Sequence, residues 1–233
     1  MDFSRFTTIS FDCYGTLIDW ESGILPVLRT VLANHGQTLP NAAILELYAE
    51  FEAEAESGPY RRYRDVLQSV VRSFAERLHF DPTPAEIRSL HESVHVWPPF
   101  PDTVVALREL QKSYKLVVIS NIDDDLFAQT RKHLGVAFEV VITAEQARSY
   151  KPSLNNFQMA LGTLAVSPDQ LLHAAQSVYH DIVPARSLGI STVWVNRKSA
   201  RPGGAVRASA GQPDLEVPDL ATLATAVGEC KQD

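Results

Sequence analysis

The chain alternates short apolar runs with amphipathic segments, and this alternation limits its fold more than any other feature of the sequence. Five apolar runs, several of them β-branched, predict buried strands at residues 7–12, 116–119, 138–142, 171–175 and 192–195. Amphipathic segments predict helices at about residues 102–113, 123–134, 153–164 and 181–188. Strands and helices that alternate in this way form a parallel sheet with right-handed crossovers. The sequence therefore predicts an α/β fold with helices on both faces of a parallel sheet.

Residues 18–97 interrupt this alternation with a helical insertion. They contain almost no strand pattern and four helix patterns, at residues 24–35, 42–56, 60–78 and 84–96. We therefore expect two units: a core formed by residues 1–17 and 98–233, and a helical cap formed by residues 18–97 over the carboxyl edge of the sheet. Near the end of the chain we expect a polar, flexible loop at residues 201–211 and a closing helix at residues 218–227.

Composition excludes several classes of protein. The chain has 233 residues, of which 45% are hydrophobic, and its 21 basic and 28 acidic side chains give a net charge of −7. These values are typical of a globular protein, and they lack the basic surplus of a general nucleic-acid binder. Two cysteines, Cys13 and Cys230, are too few for a disulfide framework. No run approaches the roughly 18 consecutive apolar residues of a membrane span. We expect a cytoplasmic protein that binds neither nucleic acid nor membranes.

Polar side chains follow four of the predicted strands. These residues are Asp12, Ser120, Asn121, Lys151, His180 and Asp181. Singly, each has an ordinary structural interpretation, such as a helix cap, a turn aspartate or an exposed lysine. The carboxyl ends of parallel strands meet at one edge of the sheet, however, and ligands of open α/β sheets bind there. Four polar strand ends at one edge therefore predict a functional site, in which a carboxylate can act as nucleophile, base or metal ligand.

These motifs resemble those of the haloacid dehalogenase superfamily along essentially the whole chain. The resemblance rests on the sequence FDCYGTL at residues 11–17, the inserted helical block, the Ser-Asn pair at residues 120–121, Lys151-Pro152 and the late Asp181. It implies a three-layer Rossmann-like core with a mobile cap and a hydrolase that forms a covalent intermediate. Relatives are commonly dimers through their cap helices, so the resemblance also suggests a homodimer.

The resemblance implies a catalytic role for five residues. Asp12 is the nucleophile, and Lys151 steadies its charge. Ser120 and Thr16 hold substrate or carboxylate oxygens, and Asp181 lies opposite them. These roles agree with elementary chemistry, since a carboxylate becomes an effective nucleophile when it is desolvated and oriented, and a neighbouring ammonium keeps it ionised.

Two positions separate a phosphatase from a dehalogenase. Magnesium-dependent phosphatases of this superfamily carry a second aspartate two residues after the nucleophile, where this chain has Tyr14, and an acid in the fourth motif, where it has Gln176. Magnesium favours carboxylate oxygens, so each lost carboxylate weakens a metal site. The sequence therefore favours a reaction without metal or other cofactor. Magnesium is expected only under the alternative, a phosphatase that acts on a small phosphate ester.

The D-x-Y-G-T form of the first motif resembles the (S)-2-haloacid dehalogenase branch. There the aspartate displaces halide from the carbon beside a carboxylate, and water hydrolyses the resulting ester. A halide leaves without a general acid, which accounts for Tyr14 in place of an aspartate. The expected substrate is therefore a 2-halocarboxylate. The candidate substrate-contacting residues are Tyr14, Asn121, Gln176, His180 and Phe157.

The chain also departs from the dehalogenase pattern. Phe157 stands where a tyrosine is usual, and the cap arginine usual near residues 40–42 is missing. Arg61, Arg62 or Arg64 is a candidate replacement, although a solvated helix face is the simpler interpretation. A third hypothesis, a non-catalytic binding protein on the same scaffold, is disfavoured because Asp12, Lys151 and Asp181 are all present. The four glutamates at positions 50, 52, 54 and 56 are expected to splay around their helix rather than form a metal cluster.

Overall fold

Six parallel strands form the centre of the computed structural model, which describes residues 1–197 and 211–229. Within these residues the strands are β1 (Thr8–Phe11), β2 (Lys115–Ser120), β3 (Val140–Thr143), β4 (Leu171–Ala175), β5 (Ser191–Val195) and β6 (Leu215–Val217). Their order across the sheet is β3-β2-β1-β4-β5-β6. The prediction of an α/β fold with a parallel sheet is confirmed, and so are all five predicted strands.

Helices precede or follow the strands throughout the described residues. They are α1 (Trp20–Asn34), α2 (Asn41–Glu56), α3 (Tyr63–Leu78), α4 (Pro84–Ser93), α5 (Thr103–Leu110), α6 (Asp124–Leu134), α7 (Ala144–Ala147), α8 (Asn155–Leu164), α9 (Val183–Ser187) and α10 (Leu220–Glu229). Short 3-10 turns lie at Val94–Val96 and Pro168–Gln170, and one π-helical turn lies at Val178–Ile182. The predicted closing helix is present as α10, and the π-helical turn begins three residues before the helix predicted at residues 181–188.

The sixth strand was not predicted from the sequence. β6 has three residues, Leu215–Val217, with a glutamate at its centre, and it pairs with β5 alone at the edge of the sheet. A strand so short, with a charged middle residue, gives no apolar run to detect. The predicted loop at residues 201–211 lies outside the described residues except for Gly211, and so does Cys230.

The register of the strands brings their carboxyl ends to one edge. Phe11, the last residue of β1, is paired with Val118 of β2 and Ala174 of β4. Ser120, the last residue of β2, is paired with Thr143 of β3. The loops that follow β1, β2 and β4 therefore start at nearly the same level of the sheet, along one edge.

Apolar side chains cover both faces of the sheet, because consecutive strand residues point to opposite faces. Val118 belongs to a large cluster that also contains Ile24 and Phe74 of the inserted helices, whereas Val117 and Ile119 belong to a smaller cluster with Phe157. The three-layer, Rossmann-like arrangement implied by the resemblance is thus present. Because the central strands are buried on both faces, most of their residues are apolar.

Helices α1–α4, called here the helical block, lie between β1 and β2 in the chain. The two connections to the block run side by side, since the Asp19 amide donates to the Pro98 carbonyl (2.8 Å) and the Phe100 amide to the Leu17 carbonyl (3.0 Å). Trp97 closes this junction, and a Cβ placed on Gly23 of α1 would lie 2.3 Å from its indole ring. Glycine at position 23 therefore allows α1 to pack directly on the returning chain. The division of the chain into a core and a separate cap stays a prediction.

In the part of the chain that the structure describes, no helix has both the length and the apolar character needed to cross a lipid bilayer. The cytoplasmic location and the homodimer stay predictions.

Candidate active site

A buried lysine joins two carboxylates at the carboxyl edge of the sheet. Lys151 Nζ lies 2.8 Å from Asp12 Oδ1 and 2.7 Å from Asp181 Oδ1, and it also donates to the Ile119 carbonyl at 2.9 Å. The lysine side chain is 2% exposed, so the ammonium exchanges almost all of its water contacts for these three acceptors. The structure thus brings together Asp12, Lys151 and Asp181, as the sequence predicted.

The pKa values in this cluster are governed by burial and by ion pairing. Burial alone would lower the pKa of Lys151, but the charges of Asp12 and Asp181 raise it above its ordinary value. Burial acts to raise the pKa of Asp181, yet Lys151 and the hydrogen bond with His173 bring it below its ordinary value. For Asp12, burial has the larger effect and raises the pKa, against the attraction of Lys151.

The turn after β1 orients the second oxygen of Asp12. Thr16 Oγ1 donates to Asp12 Oδ2 at 2.7 Å and accepts from the Gln176 amide at 2.9 Å. The turn reaches this geometry through Gly15, whose φ of +93° lies in the region that favours glycine. Both Asp12 oxygens therefore have fixed partners, and Thr16 is fully buried.

The residues after β2 divide their roles. Ser120 Oγ is buried and has no hydrogen-bond partner among the described residues. Asn121 uses both ends of its amide on the backbone of Lys151, since Oδ1 accepts from the Lys151 amide (2.7 Å) and Nδ2 donates to its carbonyl (3.2 Å). Ser120 is thus available to a ligand, whereas the Asn121 side chain positions the lysine.

A buried histidine extends the charged cluster, and the sequence analysis missed it. His173 lies in β4, fully buried, with Nε2 3.0 Å from Asp181 Oδ1 and Nδ1 2.8 Å from Ser10 Oγ. A chain of contacts therefore runs from Ser10 through His173, Asp181 and Lys151 to Asp12. The signal was a single ionisable residue inside an otherwise apolar strand, Leu171–Ala175.

A cavity of about 70 Å³, called here the inner cavity, opens onto these groups. Its lining consists of Asp12, Tyr14, Trp20, Glu52, Glu56, Tyr63, Ser120, Asn121, Lys151, Gln176, Ser177, His180 and Asp181. A second cavity of about 440 Å³, the outer cavity, shares four of these residues, Glu52, Glu56, Lys151 and His180. The two cavities therefore adjoin, with the inner one over Asp12.

Four of the five candidate substrate-contacting residues line the inner cavity, and Phe157 does not. Phe157 is fully buried in the apolar cluster that contains Val117, with its ring 5.1 Å from that of His173. Tyr14 places its ring at the cavity, and its hydroxyl pairs with Thr130 Oγ1 at 2.7 Å. Phe157 thus supports the histidine from outside the cavity, because α8 packs its side chain against the sheet.

Two glutamates on α2 reach the inner cavity, contrary to the expectation that all four would splay apart. Glu52 and Glu56 are four residues apart and share one helix face, whereas Glu54 is exposed on another. Glu52 Oε1 accepts from the hydroxyls of Tyr48 (2.8 Å) and Tyr63 (2.6 Å). Burial raises the pKa of Glu52, and burial together with the charge of Glu52 raises that of Glu56 well above its ordinary value.

The three candidate arginines do not line either cavity. Arg61 Nε donates to the Ala55 carbonyl at 3.2 Å, Arg62 pairs with Glu145, and Arg64 pairs with Asp125 and lies 3.4 Å from Asp123. The prediction that one of these arginines replaces the missing cap arginine is therefore wrong. The alternative, a solvated helix face, is incomplete because Arg62 and Arg64 form ion pairs. Arg62 and Arg64 tie the helical block to the loops after β2 and β3.

The residues present fit a magnesium ion poorly. Both Asp12 oxygens and Asp181 Oδ1 already accept hydrogen bonds from Lys151, Thr16 or His173. Asp181 Oδ2 is buried without a partner among the described residues, and it is one oxygen where magnesium favours several. Across residues 1–197 and 211–229, no group of three or more histidine, cysteine, aspartate or glutamate side chains is placed to hold a metal ion.

Comparison with known proteins identifies relatives over most of the chain. A family model described as haloacid dehalogenase-like hydrolase matches residues 6–189. An (S)-2-haloacid dehalogenase, H-109 of Pseudomonas putida, is 28% identical over 224 residues, which cover 92% of this chain and 95% of that protein. A glyceraldehyde 3-phosphate phosphatase of Methanothermobacter thermautotrophicus is also 28% identical, over 81% of this chain and 84% of its own length.

A solved structure of a dehalogenase has the same fold. The L-2-haloacid dehalogenase of Xanthobacter autotrophicus superposes with a TM-score of 0.80 at 21% identity, over 96% of this chain and 98% of that one.

Proposed function

Because this chain belongs to the haloacid dehalogenase-like hydrolases, we propose that Asp12 displaces a halide from a saturated carbon and forms an ester that water then cleaves. The observation that carries the proposal is the Lys151 ammonium, held between Asp12 and Asp181 at the floor of a small cavity. An oriented and desolvated carboxylate beside a cation is suited to nucleophilic attack.

In the first step, one Asp12 oxygen attacks the carbon that bears the halogen. The new carbon–oxygen bond forms as the carbon–halogen bond breaks, and the halide leaves with the electron pair. No proton is needed by the leaving group, which agrees with Tyr14 rather than an acid at that position of the cavity lining. Lys151 and Thr16 hold the attacking carboxylate in place.

In the second step, water attacks the carboxyl carbon of the Asp12 ester. Asp181 is the base we assign to this step, since its Oδ2 is buried, without a partner among the described residues, and on the cavity lining. The bond between the carboxyl carbon and the ester oxygen breaks, and the product alcohol takes up the proton that Asp181 removed from water. The second water proton leaves to solvent as the Asp12 carboxylate is restored. The sum is an organic halide plus water giving an alcohol and hydrogen halide.

The helical block is the cap in this proposal. Glu52 and Glu56 of α2 line the cavity opposite the sheet edge, so access to Asp12 lies between the block and the core. Relatives of this chain are named as (S)-2-haloacid and haloacetate dehalogenases, so 2-halocarboxylates are the first substrates to test.

A phosphatase is the second candidate, because one of the relatives is named as one. The structure offers little for that reaction. Position 14 carries a tyrosine rather than an acid. Of the oxygens of Asp12 and Asp181, Asp181 Oδ2 alone has no partner among the described residues.

The two functions are separated by one pair of assays. We expect halide release from 2-halocarbonyl compounds that persists in EDTA, and loss of at least about a thousandfold in kcat for Asp12→Asn. Turnover of p-nitrophenyl phosphate that requires magnesium, with no halide release from any 2-halocarbonyl compound, would replace the dehalogenase by the phosphatase.

A further inference from the structure

The inner cavity carries far more acid than base. Four carboxylic acids line it, Asp12, Asp181, Glu52 and Glu56. Of the described residues that line either cavity, Lys151 alone is a lysine or arginine, and it already pairs with Asp12 and Asp181.

The other basic residues near the site are committed elsewhere. Arg62 and Arg64 form ion pairs with Glu145, Asp123 and Asp125. His180 lines the cavity and is in contact with Ser177 through Nδ1 (3.1 Å). A substrate carboxylate in the inner cavity would therefore enter a field set by acids, with no uncommitted cation on the described lining to offset its charge.

The two glutamates of α2 are built differently from the two aspartates. Asp12 and Asp181 are bound by Lys151, whereas Glu52 accepts hydrogen bonds from described residues at Oε1 alone, from two tyrosine hydroxyls. Glu56 has no hydrogen bond or ion pair with any described residue, although it lines both cavities. Carboxylate oxygens without partners are acceptors for N–H groups.

We propose that Glu52 and Glu56 select substrates that carry an uncharged or cationic N–H group, an amide or an amine, in place of the free carboxylate of a 2-haloacid. The reaction on such a substrate rests on the proposed function of Asp12, but the binding preference does not. The size of the inner cavity, about 70 Å³, restricts the group over Asp12 to a few heavy atoms, and the outer cavity of about 440 Å³ has room for an extension.

Binding of unreactive analogues tests the proposal directly. Propylammonium, propionamide and propionate share a three-carbon chain and differ in charge, and titration calorimetry on the full chain gives their Kd values at one pH and ionic strength. We expect the ammonium and the amide to bind at least about tenfold more tightly than propionate. Propionate binding as tightly as the amide, or no binding by any of the three, would overturn the proposal.

Matched variants locate the effect. Glu52→Gln with Glu56→Gln should reduce the preference to less than about threefold, because both charges are removed with little change of shape. Glu54→Gln, an exposed position on the same helix, should leave it unchanged. Glu56→Gln alone is the second variant if the double variant does not fold, since Glu56 bonds no described residue. A preference that survives in the glutamine variants contradicts the role of α2.

Turnover separates this proposal from the function of Asp12. Halide release from 2-chloropropionamide should exceed that from (S)-2-chloropropionate by about tenfold in kcat/KM. Preference for the acid would leave the dehalogenase standing and overturn the selection by α2. The predicted binding order without halide release from either compound would instead support selection by α2 and overturn the proposed function of Asp12.

Discussion

The two acidic pairs that face each other across the inner cavity are built in opposite ways. Asp12 and Asp181, at the sheet edge, share one ammonium and are nearly inaccessible to water, at 7% and 1% exposed. Glu52 and Glu56, on α2, are half-buried and only partly bonded. A buried pair that shares a cation is suited to chemistry in one fixed geometry, whereas a half-buried pair without a cation is suited to binding what enters.

Removal of the shared ammonium should have the largest effect. Lys151→Met leaves two buried carboxylates without their cation, and breaking a buried pair costs about 3–5 kcal/mol. We expect that loss in the free energy of unfolding, measured by urea denaturation, together with loss of turnover. A stable variant with wild-type activity would show that the sheet-edge pair is not held by Lys151.

Removal of the histidine should have a smaller effect of the same kind. His173→Leu deletes the contacts to Asp181 and Ser10 and leaves Ser10 Oγ buried without that partner, so about 1–3 kcal/mol of stability should be lost. If His173 positions Asp181 for the second step, kcat falls while KM is little changed. A fall in stability with unchanged kcat would limit His173 to a structural role.

Asp181 and Glu56 should also respond to pH with opposite sign. The pKa of Asp181 is lowered in the folded chain, so its contribution to stability is present above the ordinary value of 3.8 and is lost as the pH falls below it. The pKa of Glu56 is raised, so the folded chain holds that proton longer, and its contribution is lost as the pH rises above 4.5. The variants Asp181→Asn and Glu56→Gln isolate the contributions of these two groups to stability.

Denaturation of these variants between about pH 3 and pH 7 measures the contributions of Asp181 and Glu56 to stability. The deficit of Asp181→Asn relative to the natural chain should grow as the pH rises through the acid range. Glu56→Gln should instead gain on the natural chain as the pH rises. Parallel curves for the two variants would contradict the opposite pKa shifts of Asp181 and Glu56.

The smallest effect is expected for Glu54→Gln, because Glu54 is exposed. This variant should change the free energy of unfolding by no more than about 0.5 kcal/mol and should leave turnover unchanged. This exposed position is the control for charge on α2. An effect as large as that of Glu56→Gln would mean that the charge of the helix, rather than its cavity face, matters.

Sequence patterns located the sheet edge well and the helix face poorly. Asp12, Ser120, Lys151 and Asp181 could be placed because parallel strands end at one edge, so residue order along the chain predicts proximity. Glu52 and Glu56 carried an i, i+4 signal. Which face of α2 turns to the cavity, however, is decided by packing between helices, such as that of Phe51 on Phe74. Tertiary contacts of this kind leave no local pattern.

The central claim, a covalent ester on Asp12, is tested most directly by a single turnover in oxygen-18 water. Mass spectrometry of the digested chain then reports where the heavy oxygen is found. The ester route predicts heavy oxygen in the peptide that contains Asp12 and none in the product alcohol, because water attacks the carboxyl carbon. Heavy oxygen in the product alone, with an unlabelled Asp12 peptide, would contradict it.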